Sequence, residues 1–139
     1  MQVSGGKAFP VGPDPAYAKL VGNTFNKLDG DVAKGTKALN KNGASFRAQA
    51  AAARDIQAAY NAAAKKLRGA DTGPADTAAN AALVTALTAN ANAWKKAAAA
   101  AARKDKKGFS NAEGSIKQAR QKLTQALQGL QASGYKVRS

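Results

Sequence analysis

Apolar side chains recur along this chain at steps of three, four and seven, the spacing that keeps them on one face of an α-helix. Four separate stretches carry this rhythm. In the first, Val21, Phe25, Leu28, Val32 and Leu39 fall on one stripe. In the second, Phe46, Ala53, Tyr60 and Leu67 stand seven apart, with Gln49, Ile56 and Ala63 on the alternate seam positions. Leu83, Leu87, Asn90, Trp94, Ala97 and Ala101 continue the rhythm in the third. The fourth repeats Phe109, Ile116, Leu123 and Leu130 at unbroken intervals of seven, with Ala112, Ala119 and Ala126 between them.

Punctuation separates the stretches. Asp14 before Pro15 suits a helix start, because a carboxylate accepts from orphan amides and proline fits the first turn. "KNGAS" supplies a stop at Gly43 and a cap at Ser45, and Gly69 ends the second stretch. "GADTGPAD" offers Asp71, Thr72 and Asp76 as caps for the third. "SNAE" places Ser110 three residues before Glu113, a capping box, and Gly134 is a suitable left-handed stop. The helices are therefore expected at 14–41, 45–68, 75–104 and 111–133, after an extended Gly- and Pro-rich arm over 1–13 and before a tail over 135–139. Short joints between long helices predict an all-α fold, an antiparallel up-down-up-down four-helix bundle over 14–134.

A length of 139 residues suits one domain. Alanine fills about a quarter of it, and β-branched and aromatic residues are few, which favours helix over sheet. Alternating bulky and alanine positions lets neighbouring helices approach closely, as would Gly22, Gly35 and Gly129. Each buried alanine adds little apolar area, so the few large side chains must carry the core. Trp94 lies on a seam, and its truncation to alanine should cost about 3 to 5 kcal/mol. Asn90 puts an amide in the core, where helix register is its expected role.

Cysteine and histidine are both absent. That removes disulfides, thiol nucleophiles, imidazole bases and the commonest zinc, haem and copper ligands. Asp29 and Asp31 point to different sides of a helix, Asp55 is expected to face solvent, and no glycine motif resembles a phosphate-cradling loop. No catalytic, cofactor-binding or metal-binding residue is expected, and the chain reads as a non-enzyme. No run of eighteen apolar residues is present, so no transmembrane span is expected. The N-terminal stretch lacks the apolar core of a signal peptide, as in a cytoplasmic protein or in a mature secreted one.

Charge is the feature that points outward. Twenty-two Lys and Arg face eight carboxylates, giving a formal +14 that favours anionic partners. In the expected topology one pole gathers Lys34, Lys37, Lys41, Arg47, Arg103, Lys104, Lys106, Lys107 and Lys117, opposed by Asp105 and Glu113. Cations at helix C-termini also complement the helix dipole, which accounts for part of this placement. Tyr135 beside Lys136 is the one aromatic that could stack on a base, although a Gly-Tyr pair more often closes a helix end.

The stretch from "SFRAQAAAARDIQAAYNAAAKKLRGAD" through "SIKQARQKLTQALQGLQASGY" resembles small alanine-rich extracytoplasmic helical-bundle proteins of actinobacteria. The shared features are a helix ending in "LRGAD", a Pro-containing joint, a long Ala-rich helix, a charged turn and a terminal helix closing on Gly-Tyr. The resemblance covers about two-thirds of the chain and implies a secreted or envelope-associated protein. A lipid-accepting cysteine is missing. The expected function is contact with an anionic surface or macromolecule, whether envelope polymer, anionic lipid head groups or nucleic acid. A small basic cytoplasmic nucleic-acid-binding protein is the alternative.

Overall fold

A computed structural model describes residues 13–136. The four apolar stripes become α1 (Pro15–Leu39), α2 (Phe46–Arg68), α3 (Pro74–Ala102) and α4 (Lys106–Ala132). Consecutive helices pack against each other in an antiparallel four-helix bundle. Residues 1–12 of the expected arm and 137–139 of the expected tail lie outside the described residues.

Local chemistry sets the helix ends. Asp14 accepts from the Ala16 amide at 3.0 Å with Pro15 at the first helical position. Ser45 accepts from the Ala48 amide at 3.1 Å. Gly43 and Gly134 adopt φ of 78° and 100°, the left-handed conformation that stops a helix without a Cβ penalty.

Two caps depart from expectation. Helix α4 begins at Lys106, because Asp105 is its N-cap and accepts from the Gly108 amide at 2.8 Å. A Cβ on Gly108 would collide with that carboxylate. Ser110 and Glu113 therefore ride exposed within the helix and form no capping box. Helix α3 is preceded by Gly73 with Pro74 at its start, and no side chain caps it. Asp76 is instead folded inward, and Thr72 bonds the Thr77 hydroxyl at 3.2 Å.

The turn from α3 to α4 is tight. Lys104 has φ of 56°, and the Asp105 amide reaches back to the Ala100 carbonyl at 2.9 Å while the Lys104 amide bonds Ala101 at 3.0 Å. This six-to-one and five-to-two pairing usually places glycine where Lys104 stands.

The core runs along the seams. Ile56, Leu67, Leu83, Leu87 and Leu130 are fully enclosed, and Trp94 is 8% exposed. Alanines of α2, α3 and α4 fill the space between. Gly35 permits a close approach of α1 to α2, since a Cβ there would strike Ile56 Cγ1. Gly22 and Gly129 meet nothing within 4 Å and do not serve close packing. Asn90 is fully buried, and its amide donates to the Ala86 carbonyl at 2.8 Å and, across to α4, to the Ala119 carbonyl at 3.0 Å. That second bond ties the registers of α3 and α4.

Tyr135 belongs to the core rather than to a tail. Its ring meets Tyr17 edge-on, with centroids 5.5 Å apart at 81°. The Tyr135 hydroxyl accepts from the Asp14 amide at 2.9 Å and donates to Asp76 at 2.6 Å. Tyr17 donates to Asn80 Oδ1 at 2.7 Å, and the Asn80 amide donates to the Leu67 carbonyl at 2.8 Å. Residues from all four chain segments are thereby fastened at one end of the bundle. Along the rest of their length no Cα atoms of α1 and α4 approach within 8 Å, so that side of the bundle is a groove.

Candidate anion-binding pole

The ends of α1 and α3 and the starts of α2 and α4 share one pole of an antiparallel bundle. Lys37 sits in the last turn of α1, Lys41 in the following joint, and Arg47 in the first turn of α2. Arg103 is the C-cap of α3, Lys104 forms the left-handed turn, and Lys106 and Lys107 open α4. All of these side chains are exposed. Lys34 lies about 8 Å down α1 from its end, by the rise per residue. Lys117 lies about 16 Å down α4 by the same measure, because that helix begins earlier than expected. It therefore belongs to the flank rather than to the pole.

Few carboxylates answer this charge. Arg103 Nη2 pairs with Asp105 Oδ2 at 3.8 Å, an exposed contact of small energetic worth. No other cation of the pole makes an ion pair among the described residues. Glu113 is exposed and unpaired there.

The helix boundaries change what the dipole can explain. Lys37 and Arg103 lie at helix C-termini, where positive charge is favoured. Arg47, Lys106 and Lys107 lie in first turns, where the dipole is positive and a cation is disfavoured by about 0.3 to 1 kcal/mol. Neither α2 nor α4 carries an acid in its first turn. Helix electrostatics thus opposes Arg47 most directly, since the Asp105 cap already supplies one carboxylate beside Lys106 and Lys107; an anion from outside would meet the charge that remains.

The opposite pole differs. Lys65, Lys66 and Arg68 end α2 in the orientation that the dipole favours. Asp14, Asp71 and Asp76 lie at the same end.

Among aromatic residues, Tyr135 is 5% exposed and cannot offer a face to a base; its ring packs back to close the helix end, the more usual role of a Gly-Tyr pair. Phe46 was missed as a surface residue because its seven-residue spacing assigns it to the seam. It is half-buried at the first position of α2, beside Arg47, and lies outside the main core cluster. A seam position at the very end of a helix has fewer neighbours to cover it, and that is the signal that could have found it.

The carboxylates hold no assembled site. Asp29 is exposed, and Asp31 pairs with Lys27 at 3.1 Å. No group of three or more potential metal ligands occurs among the described residues. None of the described helices is long and apolar enough to cross a membrane. No protein-family model, curated protein or solved structure significantly matches the chain.

Proposed function

We propose that the protein is a non-enzymatic helical bundle, secreted or held at the cell envelope, that contacts an anionic surface or macromolecule through its basic pole. The observation that carries this is the placement of Arg47, Lys106 and Lys107 in first turns, against the helix dipole and without an ion pair among the described residues. The helix dipole alone favours acids over cations at those positions. The extracytoplasmic setting is supported by the resemblance to alanine-rich actinobacterial proteins.

Binding to anionic liposomes, polyphosphate, duplex DNA and single-stranded RNA across a salt series tests the function. Tight binding to at least one polyanion, with a steep fall as salt rises, is expected from counterion release. Binding to none of them at 0.05 M salt would refute it. Fractionation of cells expressing the native reading frame tests the location separately.

A cytoplasmic nucleic-acid-binding role is the alternative, and Phe46 is the observation that favours it. A half-exposed ring beside Arg47 can stack on a base, which is worth about 1 to 3 kcal/mol. Phe46→Ala would then weaken single-stranded RNA at least fivefold and leave liposome binding unchanged.

A further inference from the structure

The first helix is attached to the rest of the bundle less firmly than the others. Its Cα atoms come within 8 Å of those of α2 alone among the helices, and this interface is the sparsest of the three. The α2 to α3 interface is the densest. Helix α4 also has a single neighbour, but it is tied to α3 at mid-length, where the Asn90 amide donates to the Ala119 carbonyl at 3.0 Å.

Open space flanks α1. Three of its residues, Tyr17, Val21 and Leu28, bury a large apolar side chain. On one side of this stripe the groove toward α4 is walled by Val21, Phe25 and Val32. On the other side a second groove runs between α1 and α2 themselves, with Leu20, Thr24 and Leu28 facing Ala59 and Ala63. Gly22 and Gly30 inside α1 meet nothing within 4 Å, so they weaken the helix without serving a contact.

The fastenings lie at the two ends. At the start of α1 the Tyr17 hydroxyl donates to Asn80 Oδ1 at 2.7 Å, and the Asp14 amide donates to the Tyr135 hydroxyl at 2.9 Å. Near its other end Gly35 rests against Ile56, ahead of a joint over 40–45 in which Gly43 is left-handed. Between these points no side chain of α1 bonds or ion-pairs with another element among the described residues. The bond from Tyr135 to Asp76 joins the end of the chain to α3 and does not involve α1.

We propose that α1 is a releasable strap. It swings away as a unit about the joint over 40–45 while α2, α3 and α4 stay folded on one another, and the bond from Tyr17 to Asn80 sets how often it does so. Release uncovers the apolar side of α2 around Ile56, Tyr60 and Ala63, which the closed bundle conceals.

Native-state hydrogen exchange of the full chain over a series of low urea concentrations tests this. Amides between Val21 and Val32, corrected for their intrinsic rates, should exchange at least tenfold faster than the slowest amides of α2, α3 and α4. They should share one weak urea dependence, since a released strap exposes less surface than the unfolded chain. Two variants separate release from global unfolding. Leu87→Ala, which lines neither groove, destabilises the closed and the released forms alike. It should speed the slowest amides of α2, α3 and α4 about thirtyfold or more and leave those of α1 unchanged. Ile116→Val takes its place if circular dichroism shows Leu87→Ala to be unfolded, with a rise of about two- to tenfold. Tyr17→Phe keeps the ring but removes the bond to Asn80, and should speed α1 about tenfold.

Equal acceleration of α1 and the other helices by Leu87→Ala would overturn the proposal, because α1 would then exchange only when the whole molecule unfolds. A separate urea dependence for each amide of α1 would overturn it too, as the mark of fraying. Opening of α4 as readily as α1 would remove the assignment to α1. Unchanged exchange in Tyr17→Phe would overturn the role of the bond to Asn80. No polyanion takes part in the measurement, so its outcome is independent of the reading of the basic pole.

Discussion

The hydroxyl of Tyr135, just beyond the last helix, donates to the carboxylate of Asp76, in the first turn of the third, at 2.6 Å. Asp76 is 7% exposed, and this is its one side-chain hydrogen bond among the described residues. Tyr135→Phe keeps the ring against Tyr17 but removes the donor. A buried carboxylate that loses a hydrogen bond of this kind should cost about 1.5 to 3 kcal/mol. Urea denaturation of the two proteins measures it, and an unchanged midpoint would show that the pair is energetically idle.

The same end of the bundle predicts an alkaline transition. Burial, assisted by the nearby Asp76 charge, pushes the Tyr17 hydroxyl up to about 12 from its usual 10.0. Tyr135 is raised as well, by burial first and then by its bond to Asp76. A group whose acid form is favoured by folding contributes stability in full below its unfolded pKa and loses it as pH climbs through the folded value. The thermal midpoint should therefore fall between about pH 10 and pH 12, as the Tyr17 hydroxyl is drawn toward ionisation. Tyrosinate absorbance followed alongside circular dichroism checks this. Ionisation of all the tyrosines near pH 10 in the folded protein would contradict it.

Two glycines of the first helix separate packing from propensity. Gly35→Ala drives a methyl group into Ile56 and should destabilise by about 1 to 3 kcal/mol through overpacking. Gly22→Ala meets open space and should stabilise by about 0.5 to 1 kcal/mol through backbone entropy. Opposite signs in thermal denaturation are expected, and equal signs would place the close helix contact elsewhere.

Lys104 occupies a left-handed position that costs a non-glycine residue about 1 kcal/mol or more. Lys104→Gly should raise stability by about that amount while removing one cation of the pole. Increased thermal stability together with weaker polyanion binding would show charge retained here at the expense of the fold. No gain in stability would remove the strain from consideration.

The helices were legible in the sequence because each stripe keeps its period and most ends carry a strong cap. Trp94 is read correctly as a core residue, since its place on the seam outweighs the lysines beside it. Tyr17 could have been found too, because it extends the Val21 and Leu28 stripe back by one turn. The start of the fourth helix was misread because two competing caps lie five residues apart, and Asp105 wins by closing onto Gly108. That choice moves Lys106 and Lys107 from a favourable helix end to an unfavourable one. The groove was not legible, since the periodicity of Phe25 and Leu127 marks them as apolar-facing without showing that their two helices stand apart.

Comparing charge removal at the two poles tests the central claim most directly. The combined variant Lys104→Gln, Lys106→Gln, Lys107→Gln and a matched variant Lys65→Gln, Lys66→Gln, Arg68→Gln alter the net charge equally. Both are titrated with the tightest-binding polyanion over a salt series. Loss at the first pole alone is predicted, with the salt slope reduced by about one for each lysine that contacts a phosphate. Equal losses from both variants would mean that binding follows net charge, and the basic pole would not be a site.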